Sequence, residues 1–258
     1  RAYSDLLLHD MGDELADGIG PGFASSSEFR TQPLWGVALH PPFLHDGRAA
    51  TLSEAIDWHG GEAKQSRAAW LSSSEEEKEA LVAFLETLGG ENRKGNHFVK
   101  PTDEPPASGE QGGPRSNLSA EEQALFKEGW LLFDKNIPEE AGRNTYFNAD
   151  SCRACHQDPV IGGAGGIDVN ILRIGHRDPA TGEYSSLDQP ILHRMASFGE
   201  LPDVLPAKTN IIEGRQPISI LGIGLIEEIS EASILAGEDP EDADGDGISG
   251  RARWLHTG

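Results

Sequence analysis

The chain has 258 residues and a formal net charge of −22, a field that repels nucleic-acid phosphates and anionic lipid headgroups. Its longest apolar run, Ile218 to Ile226, is broken by Ser219, Gly222 and Gly224 and falls far short of the roughly 20 residues a spanning helix needs. Two cysteines exclude a disulfide-rich scaffold, and 31 glycines with 16 prolines predict abundant turn and loop.

Residues 1–90 read as loops followed by helices. The opening stretch, Tyr3 to Met11, has no charged leader and too short an apolar centre for a signal peptide. With Arg1 in front and Trp254 to Gly258 at the other end, both ends are expected to be cut. Thr51-Leu52-Ser53-Glu54 is a capping box, in which the Thr51 hydroxyl accepts a backbone N–H and Glu54 reaches back. Leu52, Ala55 and Ile56 form its apolar face, and Gly60-Gly61 ends the helix. A second helix starts near Ser73-Ser74, where Glu75, Glu76 and Glu77 complement the positive end of the helix dipole. They read as a solvated helix start, with no sign of an acid/base pair. The apolar stripe is Leu81, Phe84, Leu85 and Leu88, and Gly89-Gly90 is the stop.

Residues 91–118 read as a linker, because Pro101, Pro105, Pro106 and Pro114 stand there with almost no apolar periodicity. Ser119-Ala120-Glu121-Glu122 opens a third helix through Leu125, Phe126, Leu132 and Phe133. Beyond Gly142 only short apolar stretches remain; Asn210-Ile211-Ile212 and Pro217 to Ile226 read as short strands or buried loops. The reading is a mainly α fold with long ordered loops.

Cys152-Arg153-Ala154-Cys155-His156 is CxxCH. Two thiols at this spacing add to the two vinyl groups of haem, and the next imidazole becomes an axial iron ligand. The alternatives lack context. A redox CxxC wants a βαβ unit, a structural zinc site wants a second ligand pair, and a solvent-exposed pair of chance cysteines is the bland alternative; covalent haem is the reading the motif favours. Covalent haem implies a periplasmic or otherwise exported protein. For the iron's other face, His176 and His193 are the nearest downstream histidines and Met195 is a thioether candidate, though each is more often a loop residue.

The surrounding segments resemble the bacterial di-haem oxidoreductases, the peroxidase-like or "thiol oxidoreductase" group related to di-haem cytochrome c peroxidase and MauG. Phe147 to His156 looks like that group's first haem site, and Asp242 to Arg251 like a segment downstream of it. Tyr3 to Gly12, Phe29-Arg30-Thr31, Leu44 to Arg48 and Trp58 to Ala63 look like its C-terminal end. The order is therefore reversed, and one CxxCH stands where the family usually has two. A window cut from a tandem protein, or a circular permutant, accounts for both. The resemblance implies cytochrome c-like haem domains, with residues 1–90 as the C-terminal portion of one unit, 91–118 as linker and 119–258 as an incomplete N-terminal haem domain.

In the peroxidase relatives the helix after the His-Asp-Gly turn supplies a ligand to the electron-transferring haem. By resemblance that position is His59, as an axial ligand of a second haem; its competing reading is a helix C-cap residue. His45 and Met11 are lesser candidates. Asp242, Asp244 and Asp246 followed by Gly247 match the first half of an EF-hand loop and suggest calcium. The closing glutamate is replaced by Arg253, so a solvated acidic turn competes. Gly162 to Gly166 fails the nucleotide-loop spacing and is expected to let backbone pack against the haem edge.

The expected function is an exported c-type haem oxidoreductase. It would exchange electrons with a small redox protein and act on peroxide or another substrate through the Cys152/Cys155 haem, with His156 as proximal ligand. The alternatives are an electron-transfer cytochrome with a six-coordinate iron, and a fragment whose haem is structural.

Overall fold

The computed structural model describes residues 2–20, 24–89, 99, 102–138, 146–193, 195–196 and 205–254. The expected stop at Gly90, the front of the linker at 91–98, the chain end at 255–258 and the Met195 side chain lie outside what is described.

Strand β1 (Leu8–Asp10) pairs antiparallel with β2 (Glu28–Arg30), Leu8 opposite Arg30. Leu8 also exchanges both backbone hydrogen bonds with Arg251, at 2.9 and 3.1 Å. The first part of the chain and its last described segment are thus sewn together. Leu6, Leu7 and Leu8 are buried there, with Leu15 and Ile19. Each fully buried leucine-sized side chain contributes roughly 1.5–3 kcal/mol.

Three helices follow: α1 (Leu52–Trp58), α2 (Lys64–Ser72) and α3 (Glu75–Glu86). The Thr51 box forms as read, with Glu54 N–H on the Thr51 hydroxyl at 3.1 Å and Thr51 N–H on Glu54 Oε2 at 3.3 Å. Ser74 and Glu77 build a second box at the start of α3. Leu52 and Ala55 bury the inner face of α1, and Trp70 of α2 donates its indole N–H to Asp57 at 2.9 Å. The stripe on α3 is not sealed: Leu81 and Phe84 stay exposed, Phe84 meeting the Tyr3 ring edge-on at 5.7 Å.

Residues 102–118 lie along the protein as an anchored strap. Glu104 pairs with Lys127 and Arg115 with Glu228. Helix α4 (Ala120–Asp134) carries the third capping box and buries none of its residues, leaving Leu125 and Leu132 exposed at 68% and 60%.

The mainly α, cytochrome c-like reading is corrected here. The described residues are 28% helix and 15% strand, a mixed fold. A two-residue ladder joins β3 (Tyr146–Phe147) to a later strand, β6 (Met195–Ala196). A three-stranded antiparallel sheet orders β5 (Tyr184–Leu192), β4 (Ile171–Arg177) and β7 (Ile211–Arg215). The sequence hides these strands for physical reasons. The β4–β5 register shifts between Arg173 and Gly175, which breaks the alternation of β4. Pro190 marks β5 as an edge strand, which it is. The hairpin turn is held by Asp178, whose carboxylate accepts N–H groups of Ala180 (2.7 Å) and Thr181 (3.2 Å). Strand β7 starts in the stretch expected at 210–212. The stretch from Pro217 is extended and then turns into α5 (Ile223–Glu227), followed by α6 (Glu231–Leu235).

The sheet packs on the first ninety residues through polar contacts. Arg215 pairs with Asp17, which is 1% exposed, and Arg177 donates to the Gly18 carbonyl at 2.9 Å. The Asn170 amide reaches the Asp46 carbonyl at 3.1 Å, and Gln216 N–H reaches the His45 carbonyl at 2.7 Å.

Candidate functional site

The CxxCH segment folds as one tight turn after α4. Cys155 N–H and His156 N–H both bond the Cys152 carbonyl, at 3.2 and 3.1 Å, and the Ser151 hydroxyl accepts the Ala154 N–H at 3.2 Å. Cys152 is exposed and Cys155 half-buried. The turn is bolted to α4 by Arg153: its N–H bonds the Phe133 carbonyl at 3.2 Å, and its guanidinium pairs with Asp134, both side chains 11% exposed. Nothing in the motif's spacing reveals this pair.

His156 has its orientation set. Its Nδ1 lies 2.9 Å from the Ile218 carbonyl and 3.3 Å from that of Gly163, and the Phe133 ring meets it edge-on at 6.4 Å. A carbonyl only accepts, so Nδ1 carries the proton and Nε2 keeps the lone pair a metal needs. The glycine run returns beneath the motif. A Cβ on Gly165 would sit 2.4 Å from the Cys155 carbonyl, so only glycine allows the approach.

These residues fit a covalently held haem. Two sulfurs share one turn with an imidazole whose Nδ1 is committed to the Ile218 carbonyl, and Ile218 itself keeps much of its apolar surface exposed. Cys152 and Cys155 would carry the thioether links and His156 Nε2 the iron.

The other candidate ligands are scattered. His176 lies on β4 with Nδ1 on the Lys208 carbonyl at 2.6 Å, and its bonding partners do not overlap with those of His156. His193 follows β5. His59 is the C-cap residue of α1, its Nδ1 on the Ala55 carbonyl at 2.6 Å, which again leaves Nε2 as the lone-pair nitrogen. His45 stacks on Phe29 at 4.6 Å, and burial holds its pKa down, with Asp46 pulling the other way. Met11 bonds Ser27 through its backbone N–H at 2.9 Å.

In the acidic loop the carboxylates brought within 4.8 Å of one another belong to Asp239, Asp242 and Asp244. Asp246 instead accepts the Ile248 N–H at 2.8 Å. Asp242 takes the Gly247 N–H at 3.1 Å and Asp239 the Ala243 N–H at 2.9 Å. Asp239 lies upstream of the alternating run and carried no sequence signal.

Three of the segments quoted for the family resemblance meet around His9. Its Nδ1 lies 2.8 Å from Glu62 and its Nε2 2.8 Å from Asp5, while the residue is only 7% exposed. Glu62 also takes the N–H and hydroxyl of Ser249, at 3.0 and 2.8 Å. A Cβ on Gly250 would sit 2.8 Å from the His9 ring. Burial pushes the His9 pKa down, but the hydrogen bonds its ring donates to Glu62 and Asp5 outweigh it and the net shift is upward. Burial raises the two acids, yet Thr31, Leu7 and His9 bring Asp5 below its usual range, and His9, Ser249 and Asp10 do so for Glu62. This is an imidazolium held between two carboxylates, and it clamps the two ends of the chain.

The family model described as "Di-haem oxidoreductase, putative peroxidase" matches residues 1–88 and 194–257. The match passes over the span that holds Cys152 to His156. The methylamine utilization protein MauG of Methylorubrum extorquens is 34% identical over 101 residues, which is 34% of this chain and 29% of MauG. The cytochrome-c peroxidase IdrP2 of Denitromonas iodatirespirans is 38% identical over 71 residues, 26% of this chain and 19% of that protein. The chain thus aligns with less than a third of either relative, and no solved structure matches. Among the described residues no helix is long and apolar enough to cross a membrane. Matched over more than half its length, with the flanks of that match knitted together around His9, the chain belongs to the di-haem oxidoreductase family.

Proposed function

We propose that this chain binds one haem c covalently through Cys152 and Cys155, with His156 on the iron, and serves as the electron-handling part of an exported peroxidase-like oxidoreductase. The supporting observation is the His156 ring, whose Nδ1–H is committed to the Ile218 carbonyl while its Nε2 keeps a lone pair. When bound, the haem would supply reversible one-electron chemistry at iron. The chain's own part is to hold the porphyrin edge with two sulfurs, fix the imidazole tautomer through Ile218, and anchor the turn through Arg153 and Asp134. A small redox protein would exchange electrons with it, and peroxide or another small molecule would be the substrate. His59, capping α1 with Nε2 uncommitted to Ala55, would ligate a second haem supplied by the rest of a two-haem unit.

The test is direct. The chain, produced in a periplasm with haem-attachment machinery, should stay coloured after denaturing electrophoresis and stain for haem peroxidase activity. A colourless band overturns the reading. A haem spectrum unmoved by peroxide would make the chain an electron carrier instead.

A further inference from the structure

We propose that Gln216 is a positioning residue for the iron ligand His156, acting through the Ile218 carbonyl; the inference rests on the haem reading above. Residues 216–220 run beside residues 162–165 as a short ladder. Gly165 N–H donates to the Pro217 carbonyl at 3.0 Å, and Ile220 N–H donates to the Gly162 carbonyl at 3.0 Å. Between these rungs the Ile218 carbonyl meets His156 Nδ1 at 2.9 Å. The same loop also holds the His156 backbone, where Gly162 N–H donates to the His156 carbonyl at 2.9 Å, and the Gly163 carbonyl lies 3.3 Å from Nδ1.

Gln216 fixes the start of this ladder on two sides. Its backbone N–H donates to the His45 carbonyl at 2.7 Å, and its side-chain Nε2 donates to the Gly165 carbonyl at 3.0 Å. Gly165 is therefore held at both its N–H and its C=O by Pro217 and Gln216. There is no room for a side chain toward the motif, since a Cβ on Gly165 would sit 2.4 Å from the Cys155 carbonyl. Among the described residues the buried Gln216 Oε1 has no hydrogen-bond partner, so the side chain acts there through its donor.

The consequence is chemical. An imidazole that donates Nδ1–H to a well-placed acceptor is a more basic ligand and favours the ferric state of the iron it binds. The acceptor here is main chain, so only its neighbours can set its position. Gln216 is the neighbour whose side chain does so, and it ties the His45 turn, contributed by the first ninety residues, to the haem ligand.

The experiment uses the full chain carrying its covalent haem. Gln216→Leu keeps the bulk and removes the donor. Spectroelectrochemical titration should show the ferrous-to-ferric ratio at fixed applied potential rising by about tenfold, equal to about 59 mV for one electron. Covalent haem staining and far-ultraviolet circular dichroism should be unchanged, and the Gly165 amide should exchange its hydrogen faster. If Gln216→Leu does not fold, Gln216→Asn, which withdraws the amide by one methylene, gives the same decision. A haem-loaded variant whose ratio stays within about twofold of the parent overturns the role of Gln216 alone. A parent chain without covalent haem overturns both this inference and the reading beneath it.

Discussion

The regions around His9 and His156 each immobilise an imidazole, and they do so in opposite ways. At His9 both ring nitrogens are spent on carboxylates, Glu62 and Asp5, and the neighbouring Leu6, Leu7 and Leu8 are buried. At His156 one nitrogen is spent on a backbone carbonyl and the other keeps its lone pair, while Ile218, which supplies that carbonyl, leaves much of its apolar surface exposed. The first region is complete as polypeptide. The second holds its ring by main-chain carbonyls and leaves Nε2 for a further partner, the arrangement the proposed haem would use. Histidines of one chain are thus separable by what their second nitrogen does.

The comparison is broken most severely at the cysteines. Cys152→Ala together with Cys155→Ala should abolish covalent haem staining while leaving the His9 region folded; retained stain would end the distinction. Next in size is Arg153→Ala, which takes the guanidinium from the Asp134 carboxylate and leaves it the Val99 N–H at 3.0 Å. Losing one partner of a buried pair costs about 3–5 kcal/mol, to be read from urea unfolding.

The His9 region should reveal itself through pH. The raised His9 contributes stability that is full below its ordinary pKa of 6.5 and is lost as pH climbs through the higher folded value. The lowered Asp5 and Glu62 contribute stability that is full above their ordinary 3.8 and 4.5 and is lost as pH falls through the lower folded values. Thermal stability should therefore peak between about pH 4.5 and 6.5. His9→Gln should flatten the alkaline decline, and an identical decline in that variant would remove His9 as its source. The smallest effect belongs to Thr51→Ala, which removes the α1 cap. It should cost about 1 kcal/mol and leave haem attachment unchanged.

Much of the helical part was legible because its signals are local. The boxes at Thr51 and Ser119 depend on residues three apart, and the same spacing places both sulfurs and the imidazole of CxxCH on one turn. What was not legible is what distance in sequence conceals. The β4–β5–β7 sheet depends on a bulge, an edge proline and pairing across the turn at Asp178. The partners of His9 lie 4 and 53 positions away. Gln216 stands beside Pro217 with no periodicity to mark it. Its meaning comes from Gly165, whose carbonyl accepts its amide and where an added Cβ would meet the Cys155 carbonyl. In the acidic loop the alternating pattern drew attention to Asp246, whereas backbone curvature brings in Asp239.

The two hydrogen bonds between Leu8 and Arg251 turn nearly the whole polypeptide into a ring closed without a covalent bond. The entropy of closing a loop grows only with the logarithm of its length, so so large a ring costs little more than a small one. A protease that nicks the exposed turn at residues 179–182 would therefore produce two pieces that still travel as one particle, joined at Leu8, at Glu62 and at Asp17.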